Sequence, residues 1–188
     1  GRLGADNNIF DFGGTKLSAS GSAQSVPDGH EPIFSSLTFV DSLQGASDSN
    51  AVTMNNGSTQ NSSVTLTGGA SAVFVSGAAG TSSNTITLNG TTLSAEGVSE
   101  GGCVYGGITL VRSSEGSVSG SMLTVNTATL KATGGTAIDF VSSASGAVSN
   151  TITLNETNLS AEGVSEDGNV YEGISLVSSA DGSVVCRP

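Results

Sequence analysis

Residues Asn84–Val118, NTITLNGTTLSAEGVSEGGCVYGGITLVRSSEGSV, return at Asn150–Val184 as NTITLNETNLSAEGVSEDGNVYEGISLVSSADGSV, displaced by 66 residues without a gap. Self-similarity at a fixed period is the signature of a stacked architecture, in which each unit relies on its neighbours for a core. The repeat splits further. Setting Ile86 over Phe10, Val52, Leu123 and Ile152 yields one pattern five times, so units begin near these residues, separated by 42, 34, 37 and 29 positions.

Each unit opens with apolar residues alternating with polar ones: Phe10/Phe12, Val52/Met54, Ile86/Leu88, Leu123/Val125 and Ile152/Leu154. A period of two turns one face of a strand inward. A second short strand is led by Leu17, Val64, Leu93, Leu130 and Leu159, and Gly21, Gly68, Gly97, Gly134 and Gly163 end it. A third carries Leu37/Phe39, Ala72/Phe74, Ile108/Leu110, Ile138/Phe140 and Ile174/Leu176, followed by a single glycine column at Gly45, Gly80, Gly116, Gly146 and Gly182. One unit cannot bury its apolar face alone, whereas five stacked units share a continuous core. The expected fold is all-β, a solenoid of about five rungs of three short strands, forming a single domain over 1–188. At about 4.8 Å per rung the stack would be roughly 20 Å tall. No window of a dozen residues shows helical periodicity.

Asn55, Asn89, Asn126 and Asn155 fall just after the first strand of four units. Asparagine tolerates a left-handed turn there and can hydrogen-bond its neighbour one rung away, which predicts a structural column.

Five Lys and Arg against sixteen Asp and Glu give a net charge of −11. Binding a phosphate backbone needs clustered basic residues, so nucleic acid and anionic membrane surfaces are poor partners. No apolar run approaches the length that crosses a bilayer as a helix. Cys103 and Cys186 fit an extracellular disulfide and equally two free thiols, and neither belongs to a metal-type cluster. Cys186 is aligned with a corner position held by Gly120, Asn84 and Asn150. No cofactor or metal is expected.

Between the second-strand glycine and the third strand the units run 16, 4, 11, 4 and 11 residues, so units one, three and five carry long loops expected at one corner. They bring Asp28, His30 and Glu31; Glu100, Cys103 and Tyr105; and Glu166, Asp167, Tyr171 and Glu172. Loops on a repeat scaffold commonly bind ligands, because the stack positions them and the core does not constrain their sequence. The alternative is that both tyrosines cover rung edges and the acids are simply solvated. Catalysis has little support. Lys16 and Lys131 are expected at inter-strand turns, Glu96 and Glu162 recur on an exposed face about 10 Å apart, and the PDGHEP stretch lacks a nucleophile or metal set.

NTITLNGTTLSAEGVSEGGCVYGG (Asn84–Gly107) and NTITLNETNLSAEGVSEDGNVYEG (Asn150–Gly173) resemble the passenger repeats of bacterial autotransporter and related adhesin-like surface proteins. Such repeats run N-T-V-T-[LI]-x-G, a second strand, then V-Y-G-G. The close resemblance covers about a quarter of the chain. It implies a right-handed single-stranded parallel β-helix, exported to the cell surface or secreted and anchored through regions outside this segment. Adhesion, self-association or spacing would be its work, with a host-surface glycan or protein as partner. Units one, two and four lack VYGG, and Glu172 replaces one glycine. Two other classes stay open. One is a polysaccharide-binding or polysaccharide-degrading β-helix. The other is an ice- or mineral-binding face, for which Thr85/Thr87 and Thr151/Thr153 are suggestive, but Ile9/Asp11, Ala51/Thr53 and Met122/Thr124 interrupt the array.

Overall fold

In a computed structural model that describes residues 4–21, 36–55, 61–100, 103–166, 169–171 and 173–179, the alternating segments become strands and the chain passes through the same order of strands in unit after unit. Unit one contributes β1 (Ile9–Gly13), β2 (Lys16–Ser20), β3 (Ser36–Ser42) and β4 (Ala46–Asp48). Unit two contributes β5 (Ala51–Asn55), β6 (Ser63–Thr67), β7 (Ser71–Gly77) and β8 (Gly80–Ser82). Unit three has β9 (Thr85–Asn89), β10 (Thr92–Glu96), the short β11 (Val98–Glu100) and β12 (Cys103–Tyr105), then β13 (Gly107–Ser113) and β14 (Val118–Ser119). Unit four is β15 (Met122–Asn126), β16 (Thr129–Thr133), β17 (Ala137–Ser143) and β18 (Ala147–Val148). Unit five is β19 (Thr151–Asn155), β20 (Asn158–Ala161), β21 (Val164–Glu166), β22 (Asn169–Tyr171) and β23 (Ile174–Ser179).

Like strands pair in parallel to make four sheets, ordered β1-β5-β9-β15-β19, β2-β6-β10-β16-β20, β3-β7-β13-β17-β23 and β4-β8-β14-β18. In sheet one, Phe10, Val52, Ile86, Leu123 and Ile152 stand in one column, and Phe12, Met54, Leu88, Val125 and Leu154 in the next. A slip of one residue would turn both columns to solvent, so burial specifies the register strongly.

The three-strand rung expected from sequence is corrected by the fourth sheet. Its strands are two or three residues long, too short for alternation to be read. The long third strand also bends. Thr38 pairs with Val73 and Val40 with Val75, with no partner between, and the bend turns consecutive residues such as Phe74 and Val75 both into the core.

Two columns shift as well. Ala46 pairs with Gly80, and Val118 pairs with Thr81, so the expected single glycine column is staggered by one residue in units one and three. What Gly45, Gly116 and Gly146 share is a serine three residues earlier: Ser42, Ser113 and Ser143 Oγ accept from their N–H groups at 3.1, 3.0 and 3.0 Å. Side-chain hydroxyls close local turns in this way. Gly120 sits level with Ser83 and Ser149, not with Asn84 and Asn150, and Ser121 takes the asparagine position. This corner is left-handed in each unit: φ is 60° at Asn7, 58° at Ser49, 55° at Ser83, 58° at Gly120 and 57° at Ser149.

The middle units hold the core. Met54, Leu88, Leu93, Leu110, Val125, Leu130 and Phe140 are wholly inaccessible, and each such side chain contributes about 1.5–3 kcal/mol on burial. The ends differ. In unit one the rings of Phe12 and Phe39 lie 5.2 Å apart and those of Phe39 and Phe74 4.8 Å apart, filling the end of the core with aromatic bulk. In unit five Leu159, Leu176 and Val177 stay 38, 45 and 54% exposed, although the matching residues of unit four are buried.

Candidate functional site

Between their second and third strands, units two and four cross by tight left-handed glycine pairs, Gly68-Gly69 and Gly134-Gly135. Units three and five insert antiparallel hairpins at this point. In one, Val98 pairs with Tyr105, Ser99 with Val104 and Glu100 with Cys103; in the other, Val164 pairs with Tyr171, Ser165 with Val170 and Glu166 with Asn169. Because β10, β16 and β20 are neighbours, as are β13, β17 and β23, both hairpins leave from one corner. Two strand spacings separate them, about 10 Å.

The fold therefore brings Glu100, Cys103 and Tyr105 to the same corner as Glu166 and Tyr171 at the level of the backbone. Glu100 and Glu166 take equivalent far-end positions, and Tyr105 and Tyr171 take the bases. Asp28, His30, Glu31, Asp167, Glu172 and Cys186 lie outside the described residues.

The paired glycines after Tyr105 have a steric role. Gly106 has φ of 106°, and a Cβ there would come within 3.1 Å of Ala70 O and Gly69 Cα; at Gly107, with φ of 141°, it would lie 2.8 Å from Ala137 O. A side chain at either position would meet backbone of a neighbouring unit, so the unit-three hairpin returns to its third strand through glycine.

Two asparagine columns flank sheet one. In the outer column Asn126 Nδ2 donates to Asn89 Oδ1 at 2.7 Å, and Asn155 Nδ2 to Asn126 Oδ1 at 2.8 Å. Asn55 ends β5 in the same column; its side chain is outside the described set. The left-handed residue expected here is displaced: these asparagines close the strands, and the next residues, Gly90, Thr127 and Glu156, carry φ of 53°, 51° and 49°.

The inner column was not anticipated. Asn50 Oδ1 accepts from the Asn8 backbone N–H at 3.0 Å and from Asn8 Nδ2 at 2.9 Å. Asn84 Oδ1 does the same for Asn50, at 2.9 and 3.0 Å, while Asn84 Nδ2 donates to Ser47 O at 2.9 Å. Asn150 Oδ1 accepts from Ser121 N–H, and its Nδ2 donates to Val118 O, both at 2.9 Å. The signal was present in sequence: asparagine stands directly before the opening strand in four units. In unit four Ser121 takes its place, and the buried Ser121 Oγ has no partner.

Charge is distributed over the other faces. Glu96 and Glu162 are both exposed, on either side of Thr133 in one column of sheet two. Lys16 and Lys131, expected at turns, lie within β2 and β16, because β2 starts one residue before Leu17 and Lys131 alternates outward between buried Leu130 and Ala132. Burial pushes the Asp139 carboxyl above its ordinary range. Asp48 Oδ1 accepts from Ser82 Oγ at 2.8 Å, and Asp48 N–H donates to Asp6 Oδ1 at 3.1 Å. Among the described residues no group of three or more His, Cys, Asp or Glu is placed to hold a metal ion. Compared with protein-family models, curated proteins and solved structures, the chain matches none.

Proposed function

We propose that this chain is a right-handed single-stranded parallel β-helix of passenger type, from a bacterial cell-surface or secreted protein. It works without catalysis, as an adhesin or structural stalk whose ligand contacts lie on the corner loops. The observation that carries the reading is the contrast between the columns and that corner: strand registers run through the units in step, while hairpins are added at one equivalent place. A scaffold that tolerates insertion only where the core is untouched is suited to presenting variable binding loops. Parallel crossover connections are right-handed in about 98% of cases, which supports the hand. An acidic chain of net charge −11 favours a glycan or protein partner over a polyanion.

The test replaces both hairpins by the Gly-Gly crossing of unit four and measures binding to a glycan array and to host cells. A β-type circular dichroism spectrum with binding lost is the expected result. Unchanged binding would move the site away from the corner. Glycan cleavage by the parent chain would instead establish the enzyme reading.

A further inference from the structure

Asp139 lies in β17 between buried Ile138 and Phe140, so alternation turns its carboxyl to the outer face of sheet three. Most described acids are exposed to water, and Asp48, half-buried like Asp139, accepts from Ser82 Oγ at 2.8 Å. Asp139 is half-buried without such a partner. Among the described residues its carboxyl makes no hydrogen bond or ion pair, and burial alone pushes its pKa up. An acid held partly out of water with nothing to pair with costs the fold stability.

That cost falls at the hairpin corner. The Gly134-Gly135 crossing leads directly into β17, and the strands on either side, β13 and β23, begin where the two hairpins rejoin the stack. Thr109 and Ser175 flank Asp139 in one column, each two residues past a returning glycine, Gly107 or Gly173. The preceding outward positions, Gly107, Ala137 and Gly173, carry almost no side chain and leave room beside the acid. A cavity of about 490 Å³ opens at the root of the unit-five hairpin, lined by Ala161, Gly163, Gly173, Ile174 and Ser175. Ser175 thus joins the Asp139 column to a concavity of the size that takes small ligands, roughly 300–1,000 Å³.

We infer that Asp139, between Thr109 and Ser175, is the floor of the ligand site framed by the two hairpins, and that it accepts hydrogen bonds from the hydroxyls of an uncharged sugar. The chemistry selects that ligand. A carboxylate set between two hydroxyls offers acceptors and donors side by side, which matches the adjacent hydroxyls of a sugar ring. The concavity holds a small group, whereas a protein partner needs about 800 Å² of surface on each side. Acidic sugars are repelled by the Asp139 charge and by the net charge of −11. Bound hydroxyls give the carboxylate the partners it lacks, so the stability lost to its burial is recovered on binding.

This rests on the reading that the hairpin corner binds the ligand, and it can fail separately from it. The probe is a printed array of neutral and acidic glycans, with poly-lysine beside it. The intact chain should bind neutral glycans and neither of the others. Asp139→Asn keeps the shape, removes the charge and should weaken that binding roughly tenfold or more, and Ser175→Ala should weaken it about threefold. Asp41→Asn removes the same charge from β3, at the far edge of sheet three, and should leave binding unchanged; circular dichroism checks that each variant is folded. Full binding by Asp139→Asn, with binding lost in the hairpin-deleted chain, overturns this inference and leaves the corner reading standing. Binding kept by the hairpin-deleted chain overturns both. An equal loss in Asp41→Asn shows a general effect of charge and overturns the assignment to Asp139, and so does an intact chain that binds no neutral glycan, whether or not it binds poly-lysine.

Discussion

The two asparagine columns lie at opposite ends of the sheet-one strands and meet different needs. The outer one joins amide to amide along a partly exposed edge, Asn89 to Asn126 to Asn155. The inner one is buried at Asn50 and Asn84, and its amides reach mainly to backbone: Asn84 accepts from Asn50 N–H and donates to Ser47 O across the unit boundary. The difference comes from what each corner leaves unpaired. Where the chain turns from sheet four into sheet one, the exposed left-handed residues Ser49 and Ser83 are flanked by buried Ser47, Asn50 and Asn84, and the buried backbone groups beside them must find partners. At the outer corner water can substitute.

If that contrast is right, removing the inner amide costs far more than removing the outer one. Asn84→Ala strands Asn50 N–H and Ser47 O in the interior and should destabilise by about 3 kcal/mol or more. For a chain of this length each kcal/mol moves Tm by about 2–4 °C, so thermal unfolding followed by circular dichroism should show a drop of roughly 10 °C. An unchanged Tm would remove the inner column from the structural account. The unfilled position offers the reverse test. Ser121→Asn supplies the missing amide between Asn84 and Asn150 and should stabilise by about 1 kcal/mol; a lower Tm would show that the site is too tight for the longer side chain. Asn126→Ala breaks the outer ladder on both sides, yet with water at hand the loss should be only about 1 kcal/mol, and a loss equal to that of Asn84→Ala would erase the distinction.

Asp139 extends the contrast to a charge. It stands on sheet three between Thr109 and Ser175, and burial raises its pKa above 3.8. The folded state then holds the proton more tightly than the unfolded one, so this group's contribution is fully present below 3.8 and is lost as pH rises through the folded value. Asp139→Asn should raise Tm slightly at pH 7, with the gain fading toward pH 3. A gain that persists undiminished in acid would rule out burial of the charge as the cause.

How much of this was legible varies by element. Opening strands were readable to within a residue, because Phe10/Phe12 and their counterparts alternate over a full five-residue strand. The fourth strand was not, since Ala147–Val148 is two residues long and no period can be counted in it. Gly120 was set one residue out of register because units one and three carry an extra residue at the preceding corner, a difference that becomes visible only when Val118 is paired with Thr81. At the candidate site, the length of the VSEGGCVYGG loop identified it as an insertion, and its pairing as a hairpin emerged from the fold. The Thr column was judged by pairs of residues within one strand, which concealed that its central line runs unbroken from Thr53 to Thr153.

The sequence by itself determined that the chain is built of alternating strands in five related units, because a period of two repeated at matching positions can bury an apolar face in one way only, against its own copies. Tertiary structure alone decided which residues share a column and which corners turn left-handed. Those properties depend on pairing between residues some thirty positions apart, and a single inserted residue at a corner shifts them without altering the local pattern.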